Sequence, residues 1–411
     1  MTNSIPRPSV PSKNEAPSKQ ATPSASPPSH ENQSNPDSPT EKLYVDNDAY
    51  FDNVLLAIRQ AKYQIELEAY IFQSSELGKL FVAALSEAAS KGVLVRVMVD
   101  GAGIDENFTQ TARALVSQGV QLRIYRPLPW RLAHWQFSRA KSQGLRKFWR
   151  LLSDINRRNH RKMLIIDRRQ LWLGSMNISQ AHLSKQRGGQ GWRDTAIALV
   201  GEHLQLPLRA FDIAWNRSRR RQRFNSDKAF KHSPFLFNFT RKLRIEHRRV
   251  LLEKIEHAQQ EIWITNAYFV PDSALLKALE RAALRQVDVR ILLPKLSDVF
   301  FMPWVSSVFY LRLMKSGVRV YEYLPSMLHA KTLVIDNWAR VGSSNLNRRS
   351  LAHDLELDYC PQQSETVDQL KLQYETDLAM SDELDKTTLS ANKHWQRWFG
   401  LLFLIVLARW L

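Results

Sequence analysis

Two histidines, two lysines and four small hydrogen-bonding side chains recur at matched spacings in this 411-residue chain. Residues 159–167 read N-H-R-K-M-L-I-I-D and lead to Gly174-Ser175-Met176-Asn177. Residues 328–336 read L-H-A-K-T-L-V-I-D and lead to Gly342-Ser343-Ser344-Asn345. Both spell H-x-K-x4-D with a trailing G-S-x-N. The spacers before the glycine differ by one residue, six (168–173) against five (337–341). One H-x-K is ordinary on a surface strand; two with the same trailer are not chance.

These residue types suit a phosphodiester. An imidazole has a pKa near ~6.5, so it serves as nucleophile, base or acid at neutral pH. One of His160 and His329 attacks phosphorus while the other protonates the departing alkoxide. Lys162, Lys331 and the neutral donors Ser175, Asn177, Ser343 and Asn345 stabilise charge on the non-bridging oxygens. Asp167 and Asp336 complete the motifs. The motifs hold no cysteine and no cluster of metal-type ligands, so this chemistry requires neither a metal nor another cofactor.

The elements that must position these groups are short buried strands. Met163–Ile166 and Thr332–Ile335 are apolar runs between Lys and Asp, closed by turn residues. Side chains alternate along a strand, so His160 and Lys162 share a face, as do His329 and Lys331. Upstream, Ile65, Leu67, Ala69 and Ile71 alternate as a strand. Leu80, Phe81, Ala84, Leu85 and Ala88 make a helix face, and Val93 to Val99 alternate again. The same order returns at Ile262 and Ile264, Leu275 to Ala283, and Val287 to Leu293. Strand, helix, strand implies a parallel α/β unit, here duplicated.

Gly119 and Gly317 are echoes 198 residues apart, but His160 and His329 are separated by only 169. The first half therefore carries 198 − 169 = 29 extra residues, within 127–158. That insertion mixes Trp130, Trp135, Phe137, Phe148 and Trp149 with arginine and lysine. Basic residues among aromatics suit an anionic headgroup surface, or nucleic acid.

The bulk numbers bound the rest. Lys+Arg 58 against Asp+Glu 40 gives +18, which favours a polyanionic partner. A single cysteine, Cys360, rules out an internal disulfide and fits a reducing compartment. Residues 1–40 are Pro- and Ser-rich and are expected to be a disordered tail with no secretory signal. We expect an N-terminal domain over 41–215, a basic linker over 216–249, a C-terminal domain over 250–380 and a tail over 381–411. Phe301 and Trp304 lie in an apolar patch before a helix, a candidate acyl-chain contact. The tail is apolar without interruption from Trp398 to Ala408, too short to span a bilayer, which takes about 20 residues. We read 398–411 as an interfacial segment with Trp398 and Trp410 at its ends; the alternative is a helix docked on the core. Trp135, Trp149, Phe301, Trp304, Trp398 and Trp410 are the expected membrane contacts.

The duplicated H-x-K-x4-D resembles the phospholipase D superfamily over roughly residues 43–360. Within it, Trp192-Arg193-Asp194-Thr195 and the run from Ser350-Leu351 to Leu355-Glu356 resemble bacterial cardiolipin synthases, the short type B form in particular. The resemblance implies two pseudo-symmetric α/β halves, each a mixed sheet flanked by helices, sharing one active site. It implies a phosphohistidine intermediate and ping-pong transfer, with Asp194 and Glu356 orienting the histidines and Asp167 and Asp336 structural. It makes phosphatidylglycerol a substrate, with that lipid or phosphatidylethanolamine as donor. It places the chain peripherally or monotopically on the cytoplasmic side of a bacterial inner membrane. The alternative is a hydrolase of phospholipid or nucleic-acid diesters; the apolar tail disfavours nucleic acid. Both motifs keep every residue the chemistry needs, which argues against a catalytically dead scaffold. Oligomeric state is left open.

Overall fold

The computed structural model describes residues 39–138, 149, 157–201, 204–216, 230, 233–385 and 398–403. Most of the 1–40 tail, much of the 127–158 insertion, the arginines 217–223 and Trp410 lie outside the described residues.

The chain opens with β1 (Thr40–Tyr44), α1 (Asn47–Gln60), β2 (Gln64–Ala69), α2 (Glu76–Ser90), β3 (Leu94–Asp100), α3 (Phe108–Ser117) and β4 (Gln121–Tyr125). Then come β5 (Met163–Ile166), β6 (Gln170–Gly174), β7 (Ala196–Val200) and α4 (Gln205–Asn216). The second half runs β8 (Phe235–Phe237), α5 (Arg241–His257), β9 (Glu261–Thr265), α6 (Ser273–Leu284), β10 (Asp288–Pro294) and α7 (Met302–Lys315). It ends β11 (Arg319–Tyr323), β12 (Thr332–Ile335), β13 (Trp338–Gly342), α8 (Arg348–Ala352), β14 (Leu357–Tyr359), α9 (Ser364–Ala379) and β15 (Ser381–Glu383).

The two sheets have orders β1-β7-β6-β5-β2-β3-β4 and β15-β11-β10-β9-β12-β13-β14-β8. Read from opposite ends they match strand for strand, apart from the added β15, so each half is one mixed sheet. β2-β3-β4 and β9-β10-β11 are parallel, whereas β5 and β12 run antiparallel to β2 and β9. That reversal brings the entry to β5 and β12, where the histidines stand, to the sheet edge where β2 and β9 end. Between β4 and β5 lie 37 residues (126–162), and between β11 and β12 eight (324–331), a difference of 29.

The helix faces form as their apolar spacing predicts, with one shift. On α2, Leu77, Phe81, Ala84, Leu85 and Ala88 are buried while Leu80 faces solvent. Likewise Val305, Tyr310 and Leu313 fill the core side of α7, where Val308 and Leu311 are half-buried. Within the stretch expected to be a linker, Phe235–Phe237 pairs with β14 and α5 begins at Arg241. β8 completes the second sheet because Phe235 and Phe237 bury their rings on it.

Among the described residues, three of five apolar clusters set the layers around the site. One lies between the first sheet and α1–α3, and a second between the second sheet and α5–α7. A third joins the halves, packing Met163, Ile165, Leu171 and Leu173 with Val341, Leu357 and Tyr359. The polar positions of β2 point into the protein as well. Glu66 and Glu68 are buried and paired, Glu66 to Arg96 at 2.8 Å and Glu68 to Arg161 at 2.8 Å. Charge in such a place persists only when paired.

Candidate active site

Each motif histidine sits just before its strand and is buried, 9% exposed at His160 and 3% at His329. Each is held by an acid from the opposite half. His160 Nδ1 lies 3.0 Å from both carboxylate oxygens of Glu356, and His329 Nδ1 lies 2.7 Å from Asp194 Oδ1. The backbone is crossed in the same way. The His160 amide donates to Leu355 O and the Leu355 amide to Arg158 O; the His329 amide donates to Arg193 O and the Arg193 amide to Met327 O. Neither half could orient its own histidine alone.

The G-S-x-N trailers seat the acids. A Cβ on Gly174 would lie 2.5 Å from Thr195 O, and one on Gly342 would lie 2.5 Å from Leu357 O. Only glycine lets β6 and β13 approach so closely. The next residue then reaches the acid: Ser175 Oγ donates to Asp194 Oδ1 at 2.7 Å and Ser343 Oγ to Glu356 Oε2 at 2.5 Å. Behind each acid the halves diverge. Five residues after Asn177 stands His182, whose Nδ1 is 2.6 Å from Asp194 Oδ2. Five residues after Asn345 stands Ser350, which acts on Glu356 to lower its pKa.

Electrostatics follows that divergence. Burial pushes Asp194 up, but His182 and His329 outweigh it and hold the carboxyl well below its ordinary range. Burial pushes Glu356 up to about 8, and Lys162, Ser343 and Ser350 only partly offset it. Burial, then the neighbouring ammoniums, hold both motif histidines well below 6.5. Burial also pushes Lys162 down to about 7 and Lys331 to about 8. Two buried ammoniums short of counter-charge form a place that a phosphate anion would complete. Each lysine Nζ donates to the carbonyl of its own motif histidine, Lys162 at 2.8 Å.

Aromatic rings wall the pair. Tyr70 stands edge-on to His160 at 4.7 Å and Tyr268 faces His329 at 6.4 Å, with Lys162 and Lys331 above their respective rings. Trp192 packs 5.3 Å from His329. The motif acids are elsewhere. Asp167 and Asp336 accept three backbone N–H groups each, from Lys62, Tyr63 and Gln64 and from Gln259, Gln260 and Glu261, at 2.7 to 3.0 Å. They occupy left-handed turns (φ 51° and 50°) at the far ends of β5 and β12, so they do not reach the histidines with which spacing groups them. Asn177 accepts from the Ile71 amide through Oδ1, rather than acting there as a donor. Asn345 is buried beside its serine.

His182, Tyr70 and Tyr268 are site residues that motif reading passes over. The tyrosines carried a signal: Ala69-Tyr70 and Ala267-Tyr268 repeat at the 198-residue offset of the two glycines. His182 carried none, because its counterpart is a serine.

Among the described residues, His182, Asp194 and His329 could hold an ion, their ligand atoms lying within 4.8 Å of one another. Both imidazoles turn Nδ1 to Asp194, so the trio is already satisfied as a hydrogen-bonded cluster.

The expected membrane contacts gather in part. The helical residues 398–403 pack on the Phe300–Trp304 patch, Phe403 stacking on Phe301 at 4.9 Å and Phe399 tilting against Trp304 at 6.3 Å. This is the docked alternative for that part of the tail. Trp398 is 75% exposed and Phe300 68%. Trp149 is exposed and Trp135 half-buried, both in the first half. Among the described residues, no helix is long and apolar enough to cross a membrane.

Known proteins share both sequence and shape with this chain. The family described as "Cardiolipin synthase, PLD-like domain" matches residues 54–188 and 251–378, more than half of the chain. Cardiolipin synthase of Staphylococcus aureus (strain Mu50 / ATCC 700699) is 29% identical over 365 residues, covering 86% of this chain and 70% of its own. Cardiolipin synthase of Clostridium perfringens (strain SM101 / Type A) is 31% identical over 330 residues, covering 76% and 65%. Among solved structures, phosphatidylserine synthase of Haemophilus influenzae Rd KW20 has the same fold, with TM-score 0.65 at 14% identity, covering 90% of this chain and 93% of its own.

Proposed function

The chain belongs to the cardiolipin synthase family with the phospholipase D-like domain, a family of phosphatidyltransferases, and from that premise we propose that it makes cardiolipin. The observation that carries this reading is the crossed pair, His160 on Glu356 and His329 on Asp194. A carboxyl oxygen that accepts from Nδ1–H leaves that imidazole a lone pair at Nε2.

His160 attacks the phosphorus of a donor phospholipid. A P–N bond forms and the P–O bond to the headgroup breaks; His329, protonated once the bound phosphate anion offsets the two ammoniums beside it, gives its Nε2 proton to the departing alkoxide. His329, now neutral, takes the proton from a hydroxyl of phosphatidylglycerol, whose oxygen attacks the phosphohistidine and releases His160. With phosphatidylglycerol as donor the by-product is glycerol; with phosphatidylethanolamine it is ethanolamine. Lys162 and Lys331 stabilise the non-bridging oxygens through both steps. Assigning attack to His160 follows the family's habit of an N-terminal nucleophile.

We further place the enzyme on the surface of a bacterial inner membrane, on the cytoplasmic side. Its charge of +18, the buried free thiol of Cys360 and the exposed aromatics support this. Trp130, Leu132, Phe300, Trp398 and Phe399 are exposed on segments that follow β4 and β10 or pack against them. β10 ends at the sheet edge where His329 enters, so a bilayer held there would present lipid to the site.

The test is purified protein with labelled phosphatidylglycerol vesicles. Cardiolipin plus glycerol is the expected outcome. Phosphatidic acid alone would make water the acceptor and the enzyme a hydrolase. Co-sedimentation with those vesicles should weaken on replacing Trp398 and Phe300 by serine; unchanged binding would refute this surface.

A further inference from the structure

We propose that His182 is a positioning residue that makes His329 the acid–base histidine, by fixing Asp194 through a second imidazole. The inference rests on the headgroup-releasing chemistry proposed above and names what prepares one of its two histidines.

Three contacts define the arrangement. The Asn177 backbone amide donates to His182 Nε2 at 3.2 Å. That nitrogen must therefore carry a lone pair, so His182 is neutral with its proton on Nδ1. Nδ1–H then donates to Asp194 Oδ2 at 2.6 Å. The other oxygen, Oδ1, accepts from Ser175 and faces His329 Nδ1 at 2.7 Å. A fully buried carboxylate with a donor on each remaining side can neither rotate nor pick up a proton cheaply. It fixes His329 as the Nδ1–H tautomer with Nε2 free to take and return a proton. His182 is locked in turn: Asn47 Nδ2 donates to the carbonyls of His182 and Trp192, both at 2.7 Å, and Trp192 packs on its ring at 5.0 Å.

The other half lacks this device. Ser350 occupies the corresponding place behind Glu356, and a hydroxyl rotates where a clamped ring does not. The acid–base histidine must act in both half-reactions, first giving a proton to the alkoxide and then taking one from the acceptor. That double duty demands the better-held partner. A nucleophile that remains phosphorylated between the steps needs no such return.

The groups that set the titration of His329 are Lys331 on its own segment, Asp194 and His182 from the first half, and Tyr268 and Trp192 against its ring. Asp194 also acts on Lys162 and on Tyr50 of α1.

The experiment follows release of the headgroup alcohol from phosphatidylglycerol and phosphatidylethanolamine vesicles, a readout common to transfer and hydrolysis. Wild type, His182→Leu, His182→Asn and His182→Gln are compared across pH at matched folding by thermal melting. Leucine keeps the bulk and loses the donor; asparagine returns an N–H at the Nδ1 position; glutamine places one too far out and covers the case in which leucine does not fold. Expected are a kcat lower by about tenfold or more in leucine and glutamine with KM held, from misplacement of His329. The pH limb of kcat should move upward in both, because an Asp194 relieved of its donor holds the imidazolium more strongly. Asparagine should restore most of kcat and the original limb. Wild-type kcat and profile in leucine overturn the inference, as does a loss that asparagine does not repair. No release by wild type from either lipid overturns the proposed function itself, and this inference with it.

Discussion

The two halves repeat strand for strand, yet their acids differ in charge. Asp194 receives an imidazole N–H, a hydroxyl and His329, and stays well below the ordinary carboxylate range despite burial. Glu356 is buried as deeply, receives a hydroxyl from Ser343, and is pushed up to about 8 although Lys162, Ser343 and Ser350 act to lower it. Geometric two-fold symmetry therefore does not carry through to chemistry. In the proposed mechanism, the difference between His182 and Ser350 behind the two acids separates the roles of two nearly identical histidines.

The bluntest way to break the comparison is to remove a histidine. His160→Ala and His329→Ala should each abolish headgroup release while leaving the melting temperature near that of wild type. Activity at wild-type level in either would end the single shared site. Exchanging the acids sharpens it. Asp194→Asn must set an amide N–H against one of three donors and mis-set the tautomer of His329, costing about 10³-fold or more in kcat. Glu356→Gln replaces a group already pushed toward its neutral form, so about ten- to a hundredfold is expected. Equal losses would erase the distinction.

The lysines give a pH signature shared by both halves. In the proposed mechanism protonated Lys162 and Lys331 bind phosphate, and burial pushes them down to about 7 and about 8. KM for phosphatidylglycerol should therefore rise as pH climbs through 7 to 8, while kcat, measured with the phosphate charge in place, holds. A KM flat to pH 9 would show that neither lysine meets the phosphate. Smallest is the effect of the motif acids. Asp336→Asn should lower stability by about 1–3 kcal/mol with kcat intact, since it holds three backbone amides rather than substrate. Burial raises Asp336 but those amides hold it below its ordinary pKa, so its contribution is present above the unfolded-state value and is lost as pH falls through the folded one. Melting curves of wild type and Asp336→Asn should accordingly converge in acid.

The sequence by itself determined the duplicated motifs, the repeated strand–helix–strand order and the 29-residue excess in the first half. These are local: periodicities of side chains along one strand or helix, and spacings within one repeat. It also carried the acids, through the resemblance of Trp192–Thr195 and Leu355–Glu356 to a known family. What only the tertiary structure decided is which groups meet. Glu356 serves His160 across 196 positions and Asp194 serves His329 across 135, because each motif segment bridges, in parallel, the acid-bearing segment of the other half. Asp167 and Asp336 share the motif spacing with the histidines, yet a four-residue strand carries them to its opposite end. Residues 398–403 meet Phe301 and Trp304, about a hundred positions earlier, because an apolar helix and the apolar start of another helix lower their free energy by covering one another. His182 was invisible for a related reason. Its role lies in both ring nitrogens being taken, one by a backbone amide and one by a buried carboxylate, and no spacing records that.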